Sequence, residues 1–197
     1  ALQLNVRHDK VGELKESTGY IGYGYPITEQ LKLIASASTA FNAPPLGYLF
    51  APGFGNPQLK PELARSKEVG LQYERGGHLL RATYFDTRIK DQLDFDQAAS
   101  TFANISRTRN DGLELSYKGL VGQTDLRASL TLQDPVNEVT QQRLNRRAST
   151  LMSLGVSQPM GAFRVNADVQ YSGERPDVYT DVNTFQSVNT TLGSYTL

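Results

Sequence analysis

Five of the nine prolines lie in one short part of the chain, between Phe41 and Glu62. Each proline removes a backbone hydrogen-bond donor and fixes φ at about −65°, so this stretch suits neither a helix interior nor a central strand. The sequence therefore predicts a long, rigid loop over about residues 42–64.

Apolar and polar residues alternate in the segments that flank this loop, at about 31–40 and 66–74. The clearest alternation lies at 125–132, with an apolar set and a polar set: Leu126, Ala128, Leu130 and Leu132 against Asp125, Arg127, Ser129 and Thr131. A period of two residues places the two sets on opposite faces of a β-strand. About ten such strands fit the chain, which predicts an all-β, antiparallel fold.

The predicted strands are joined alternately by short and long connections. Tight reversals are expected at about 26–30, 75–78, 119–123 and 158–161, and longer loops at about 9–16, 42–64, 91–103, 134–144 and 172–189. Outer-membrane β-barrels have short periplasmic turns and long outer loops, whereas a soluble sandwich has no reason to sort its loops in this way. The loop order is thus typical of an antiparallel transmembrane β-barrel, although the strands of a soluble β-sheet binding module would alternate just as well.

Charge and cysteine content exclude several classes of function. The twenty basic and twenty acidic residues cancel, which does not fit a nucleic-acid-binding protein. Cysteine is absent, so disulfides and thiolate metal sites are excluded. No run of about 18 apolar residues predicts a transmembrane helix. Residues 1–4 read as a strand rather than a signal peptide, so we expect a piece of a longer protein.

No set of residues predicts catalysis or metal binding. His8 and His78 lie far apart and lack the spacing of a zinc or haem site. Four aspartates gather around one predicted loop: Asp86, Asp91, Asp94 and Asp96. This segment lacks the glycine-kinked regularity of a calcium loop, so solvated charge is the better interpretation. We predict no enzyme activity, no metal site and no cofactor.

Three linked motifs run through the proline-rich loop and the strand after it: Phe-x-Ala-Pro-x-Leu, Gly-Asn-Pro-x-Leu-x-Pro-Glu and Glu-x-Gly-x-x-Tyr. Their residues are Phe41, Ala43, Pro44 and Leu46, then Gly55, Asn56, Pro57, Leu59, Pro61 and Glu62, then Glu68, Gly70 and Tyr73. This spacing resembles the signature of TonB-dependent outer-membrane receptors. The resemblance is closest to the cobalamin (vitamin B12) receptor branch, with siderophore receptors close behind.

The resemblance implies a barrel of about 22 strands around an N-terminal plug, in the outer membrane of a Gram-negative cell. Such a receptor takes up a scarce, large ligand with energy delivered through TonB. Residues 1–197 would then form about ten strands of the C-terminal half of the barrel, without the plug, the TonB box or the last strands. Expected partners are membrane lipid, the plug, TonB, and cobalamin or a siderophore. A passive porin-like barrel is the alternative outside the family.

Aromatic residues supply the candidate ligand contacts. Four of them fall on predicted outer loops: Tyr48, Phe50, Phe54 and Tyr179. Other tyrosines fall near strand ends, where a ring suits the headgroup region of a bilayer. The sequence does not separate a membrane belt from a ligand site.

Glycines carry further local predictions. Gly22, Gly24, Gly70 and Gly112 interrupt predicted strands, and we interpret them as points of barrel curvature rather than as room for a plug. The run Gly55-Asn56-Pro57 predicts a turn within an extracellular loop, because Asn precedes Pro and Gly tolerates positive φ.

Overall fold

The computed structural model describes residues 1–96, 99–184 and 186–197, and most of them lie in antiparallel β-strands. The elements in chain order are β1 (Leu2–Val11), β2 (Leu14–Pro26), β3 (Leu31–Asn42), α1 (Leu46–Phe50), β4 (Glu62–Arg75), β5 (His78–Asp96), β6 (Thr101–Val121), β7 (Thr124–Asn137), β8 (Thr150–Met160), β9 (Phe163–Ser172), β10 (Arg175–Thr180), β11 (Ser187–Leu192) and β12 (Tyr195–Thr196). The predicted all-β, antiparallel fold is confirmed.

Ten strands form one sheet in which sequence neighbours are also spatial neighbours, from β1 to β9 and then β12. β10 and β11 form a separate hairpin between β9 and β12. Within the described residues β1 does not pair with β12, so the sheet is open and does not close into a barrel of its own. No helix in the described part of the chain is long and apolar enough to cross a membrane.

The four predicted tight reversals all form, and they lie at one end of the sheet. β4 joins β5 through Gly76 and Gly77, both at positive φ (59° and 81°), which suits the right-handed twist of a hairpin. In the turn between β2 and β3, the Thr28 hydroxyl oxygen accepts hydrogen bonds from the backbone N–H of Gln30 and Leu31. We call this end the short-turn end, and the opposite end the long-loop end.

The long-loop end differs from the sequence prediction because several predicted loops are paired strand. Residues 9–16 form the tips of β1 and β2 with a tight turn at Gly12 (φ 62°). β5 and β6 extend across most of the predicted 91–103 loop, and β10 and β11 occupy much of the predicted 172–189 loop. Residues 97, 98 and 185 of these predictions lie outside the described residues. Pairing with a neighbouring strand satisfies the backbone N–H and C=O groups of a segment whether its side chains are polar or apolar. A run of charged residues is therefore not sufficient to predict a loop in this chain.

The two faces of the sheet separate apolar from polar side chains. Leu130 lies beside Leu115 and Met152 in neighbouring strands, whereas the Ser129 and Ser153 hydroxyls hydrogen-bond at 2.7 Å on the other face. On the central strands the apolar face carries a continuous set of residues, which we call the apolar band: Val69, Leu71, Tyr73, Leu80, Ala82, Tyr84, Leu113, Leu115, Tyr117, Ala128, Leu130 and Leu132.

The apolar band is not covered by any other part of the described chain. Leu71 and Leu80 are 45% and 47% exposed, and apart from prolines Ala148 is the only buried aliphatic or aromatic side chain among the described residues. A sheet that exposes so much contiguous apolar surface must bury it against something else.

Candidate ligand-binding loops

The signature loop, residues 43–61 between β3 and β4, lies over the tips of β5 and β6. Its first part forms α1, so the prediction that this stretch contains no helix is wrong for residues 46–50. The helix is possible because Pro44 and Pro45 precede it, with Pro45 at the N-cap, and a proline without an N–H is tolerated where a helix begins. The remainder of the loop is neither helix nor paired strand, as predicted.

A turn forms at the predicted Gly-Asn-Pro run, but its geometry differs from the expectation. The Asn56 side-chain oxygen accepts a hydrogen bond from the backbone N–H of Gln58 at 2.9 Å, which is an Asx turn. The positive φ of this region belongs to Gly53 (86°) and not to Gly55. Gly55 is needed for close approach instead, since a Cβ there would lie 2.6 Å from the backbone nitrogen of Ala51.

Two asparagine side chains attach the signature loop to β6. Asn56 donates from Nδ2 to the carbonyl oxygen of Phe102 at 2.9 Å. Asn104 accepts from the backbone N–H of Lys60 at 2.8 Å and donates to the carbonyl oxygen of the same residue at 2.9 Å. These bonds replace the strand pairing that a proline-rich segment lacks, because they satisfy backbone groups of the loop from the side.

Glu62 closes the base of the signature loop across three strands. Its carboxylate accepts a hydrogen bond from the Leu93 backbone N–H on β5 at 2.8 Å and another from Nδ2 of Asn42 on β3 at 2.9 Å. Hydrogen bonds to a charged acceptor are stronger than neutral ones. The Glu62 and Asn56 side chains of the signature thus position the loop.

The other signature residues occupy the strands on each side and the connections between them. Phe41 pairs with Leu63 at the end of β3, and Pro61 is buried before β4. Glu68 and Gly70 lie on the polar face of β4, and Tyr73 lies in the apolar band. The remaining signature residues lie in the loop itself: Ala43, Pro44, Leu46, Pro57 and Leu59.

An aromatic cluster forms where the signature loop meets the β5–β6 hairpin. The rings of Tyr48 and Phe102 stack at 3.8 Å with an interplanar angle of 9°. Phe54 and Phe95 pack edge-on against the same Phe102 ring at 6.1 and 5.2 Å. Phe95 and Phe102 were not among the predicted site residues, because their segment was predicted as loop; they are cross-strand partners in the hairpin.

The predicted ligand residues differ in how much of each ring is exposed. Phe50 and Phe54 are 65% and 46% exposed, whereas Tyr48 is half-buried against Phe102. Tyr179 is 51% exposed and lies on the β10–β11 hairpin opposite Val188. The described residues show no ring contact between Tyr179 and the other three, so the predicted set divides into two places.

The β10–β11 hairpin is attached to the loop after β7 through Arg146. The Arg146 backbone N–H donates to the Pro176 carbonyl oxygen at 2.7 Å, and its Nε donates to Asp177 Oδ1 at 2.7 Å. The hydrogen bond from Arg146 is the largest cause of a lowered pKa of the Asp177 carboxyl. A polar cleft of about 420 Å³ lies between this loop and the hairpin, lined by residues that include Arg143, Glu174 and Asn189.

Two of the four aspartates considered as a calcium site have other partners in the structure. Asp86 forms ion pairs with Arg88 and Arg109, both at 3.0 Å, and Asp94 caps the next backbone N–H. His78 Nδ1 lies 2.8 Å from the Tyr117 hydroxyl oxygen at the short-turn end. Across residues 1–96, 99–184 and 186–197, no group of three or more His, Cys, Asp or Glu side chains has the geometry to hold a metal ion.

Comparison with known proteins places this sheet in one family. Residues 1–197 match the family described as TonB dependent receptor-like, beta-barrel. The Vitamin B12 transporter BtuB of Vibrio vulnificus is 29% identical over 187 residues, which are 93% of this chain and 29% of that protein. The transporter of the same name from Vibrio cholerae is 28% identical over 198 residues, covering 100% of this chain and 32% of that protein.

Solved structures share the fold at lower sequence identity. The ferripyoverdine receptor of the outer membrane of Pseudomonas aeruginosa has a TM-score of 0.77 and 16% identity, over 93% of this chain and 26% of that one. The FrpB iron transporter from Neisseria meningitidis has a TM-score of 0.69 and 16% identity, over 99% of this chain and 34% of that one. The chain thus spans about a third or less of each relative. It belongs to the TonB-dependent receptor-like β-barrel family, whose members are receptors and transporters and not enzymes.

Proposed function

We propose that this chain forms part of the barrel wall and the outer loops of a TonB-dependent outer-membrane receptor that takes up cobalamin. The proposal of cobalamin as the ligand rests on the similarity to two vitamin B12 transporters, at 29% and 28% identity over 93% and 100% of the chain. The receptors of known structure are 16% identical and support the fold alone.

The uncovered apolar band supports a position in the membrane. Lipid is the partner that fits an apolar face continuous across neighbouring strands, with polar residues on the opposite face. β6 has 21 residues, about twice the roughly 9–11 residues that cross a bilayer, so its part near Phe102 projects beyond the membrane. In the outer membrane of a Gram-negative cell, the long-loop end would face outside.

The open edges and the polar face support a place within a larger barrel. Backbone groups at the edges of β1 and β12 cannot remain unpaired in hydrocarbon, so further strands would pair with them. The polar face would then line the lumen and contact a plug domain, and TonB would act on that plug from the inner side. In this arrangement residues 1–197 are wall and outer loops only.

The exposed rings at the long-loop end are the proposed ligand contacts. Phe50 and Phe54 present aromatic surface on the signature loop, and Tyr179 presents it on the β10–β11 hairpin. Tyr48 would support the site through its stack on Phe102. Small-molecule and cofactor sites are lined mostly by apolar and aromatic side chains.

Equilibrium binding of cyanocobalamin and of a ferric siderophore to the whole receptor that carries these residues tests the proposal. We expect cobalamin binding, weakened about tenfold or more by Phe50→Ala or Tyr179→Ala, because burying one aromatic side chain contributes about 1.5–3 kcal/mol. Phe163→Ala is the matched control, since this ring is 79% exposed but lies at the short-turn end.

The other outcomes each identify a different function. Binding of the ferric chelate without cobalamin would assign the siderophore branch of the family. A folded barrel that binds neither ligand and conducts small ions would be a passive porin-like channel. A monodisperse monomer that is stable without detergent would contradict the membrane assignment.

A further inference from the structure

Three arginines face one another across adjacent strands of the sheet. Arg65 on β4 is paired with Arg88 on β5, and Arg88 is paired with Arg109 on β6. All three lie on the apolar face, four residues beyond the apolar band toward the long-loop end. Like charges placed directly opposite each other destabilise a sheet, so this arginine row needs a compensating partner.

Acidic residues of the next row compensate only part of the charge. Asp86 lies 3.0 Å from Nε of Arg88 and 3.0 Å from Nε of Arg109, and Asp111 lies 3.1 Å from Nε of Arg109. The Tyr84 hydroxyl donates to Asp111 at 3.1 Å, which ties this acidic row to the edge of the apolar band. The two carboxylates are 22% and 25% exposed, so they lie beneath the guanidinium groups rather than beside them in solvent.

Contacts through Nε fix Arg88 and Arg109, whereas the Arg65 side chain has no such contact. Within the described residues, the Arg65 side chain makes no hydrogen bond or ion pair, and the short contacts of Arg109 with Asp86 and Asp111 use its Nε. Arg88 uses one terminal nitrogen in a long 3.4 Å contact with Asp86. Guanidinium groups held in this way present paired N–H donors that match the oxygens of a phosphate.

The surroundings of the arginine row add positive charge. In the three rows beyond the apolar band, on the apolar face of β4 to β7 or beside it, seven basic residues stand against four acidic ones: Arg65, Lys67, Arg88, Lys90, Arg107, Arg109 and Arg143 against Asp86, Asp111, Asp134 and Glu138. The whole chain has a formal net charge of zero, so the positive excess is local. It lies at the level where the apolar face ends.

We propose that Arg65, Arg88 and Arg109 bind the phosphate groups of an anionic lipid in the leaflet on the long-loop side. The apolar band would contact the acyl chains of the same lipid. The three arginines, which lie beyond the row of Asp86 and Asp111, would contact its headgroup. This inference rests on the proposed membrane function, which supplies the bilayer, and it adds a headgroup site to the wall.

Native mass spectrometry of the whole receptor in detergent tests the site, with bisphosphorylated lipid A, monophosphoryl lipid A and phosphatidylcholine as the lipids. We expect retention in that order of decreasing strength. Replacing all three arginines (Arg65→Gln, Arg88→Gln and Arg109→Gln) should lower retention of lipid A about tenfold or more, because each basic residue near a membrane surface contributes about a fivefold preference for anionic lipid.

The matched control removes three arginines from the polar face: Arg81→Gln, Arg127→Gln and Arg164→Gln. It should leave lipid A retention unchanged. Unchanged retention in the arginine-row variant, or equal retention of phosphatidylcholine and lipid A by the parent protein, would overturn the headgroup site while leaving the barrel assignment intact.

Electrophoretic mobility before and after heating reports whether each variant is a folded barrel. If the triple variant does not fold, Arg65→Gln alone decides, since this side chain has no protein partner in the described part of the chain and its loss should lower retention about fivefold. Equal retention by that variant would overturn the site. Failure of the parent protein to insert into bilayers would instead overturn the proposed function, and with it this inference.

Discussion

The apolar band and the signature loop belong to the same sheet, but different kinds of interaction hold them. The band consists of regular backbone pairing with side chains such as Leu71 and Leu80 left about half exposed. The signature loop has no strand pairing, and side-chain groups such as the Asn56 amide and the Glu62 carboxylate attach it to β5 and β6. The position of the band depends on which residues are apolar, whereas the position of the loop depends on hydrogen bonds made by particular side-chain atoms.

This difference explains why the two regions carry different sequence signals. Any apolar residue that is compatible with a strand can occupy a position in the band, so the sequence needs only to alternate apolar and polar residues there. In the loop, Asn56 must both accept from Gln58 and donate to Phe102, which few side chains can do. We therefore expect the band to be sensitive to charge and the loop to be sensitive to small chemical changes.

The largest expected effect is a charge placed in the apolar band. Leu130→Arg should lower the free energy of unfolding in a bilayer by about 2–4 kcal/mol, because the guanidinium group would face hydrocarbon. Ser129→Arg, one residue away on the polar face, should cost little. A folding titration in lipid vesicles measures both values, and equal costs would show that lipid does not cover the band.

Removal of the Glu62 carboxylate should have the next largest effect. Glu62→Ala leaves the part-buried Leu93 backbone N–H without its acceptor, and a hydrogen bond to a charged group contributes about 1.5–3 kcal/mol. The Asn42 amide also loses its acceptor, but this bond is exposed, so water replaces it at little cost. We expect faster amide hydrogen exchange at Leu93 and through residues 56–61. Glu68→Ala on the same strand is the control, since the only hydrogen bond of the Glu68 side chain within the described residues is a 3.4 Å contact with Ser36.

Asn56→Ala should open the signature loop by a smaller amount. The variant loses two neutral hydrogen bonds, each with a net contribution of about 0.5–1.5 kcal/mol. Hydrogen exchange of the Gln58 amide should increase several-fold, and strand exchange in the apolar band should not change. Gln58→Ala keeps both bonds, and an equal increase in that variant would show that the Asn56 side chain does not hold the loop.

The smallest expected effect is the pH dependence of the β10–β11 hairpin. The Asp177 pKa is lowered in the folded state, chiefly by the hydrogen bond from Arg146, so the stabilisation is complete above the unfolded pKa of about 3.9 and is lost as pH falls through the folded value. Limited proteolysis should therefore cut within 175–192 faster at low pH. Arg146→Gln should reduce this pH dependence.

Arg147→Gln serves as the control for the hairpin, because it removes the same charge from an exposed neighbour. Some pH dependence should remain in Arg146→Gln, since the Asp181 pKa is also lowered, chiefly by backbone N–H donors from Thr184 and Asn183. An unchanged pH profile in Arg146→Gln would mean that other contacts attach the hairpin.

The sequence by itself determined the strand content, the four tight reversals and the two faces of the sheet. These are local properties: alternation in 125–132 depends on neighbouring residues, and the reversal at Gly76 and Gly77 depends on the φ values that glycine allows. The motif spacing over residues 41–73 also sufficed for the family, which the match over the whole chain confirms.

Tertiary structure alone decided how far the strands extend at the long-loop end and which side chains meet there. The polar segments at 9–16 and 91–96 are strand because a partner across the hairpin satisfies their backbone, and polarity does not report that partner. The stack of Tyr48 on Phe102 and the row of Arg65, Arg88 and Arg109 both depend on pairing between residues more than 20 positions apart. The pairing register between strands determines such contacts, and this register cannot be read from a single sequence.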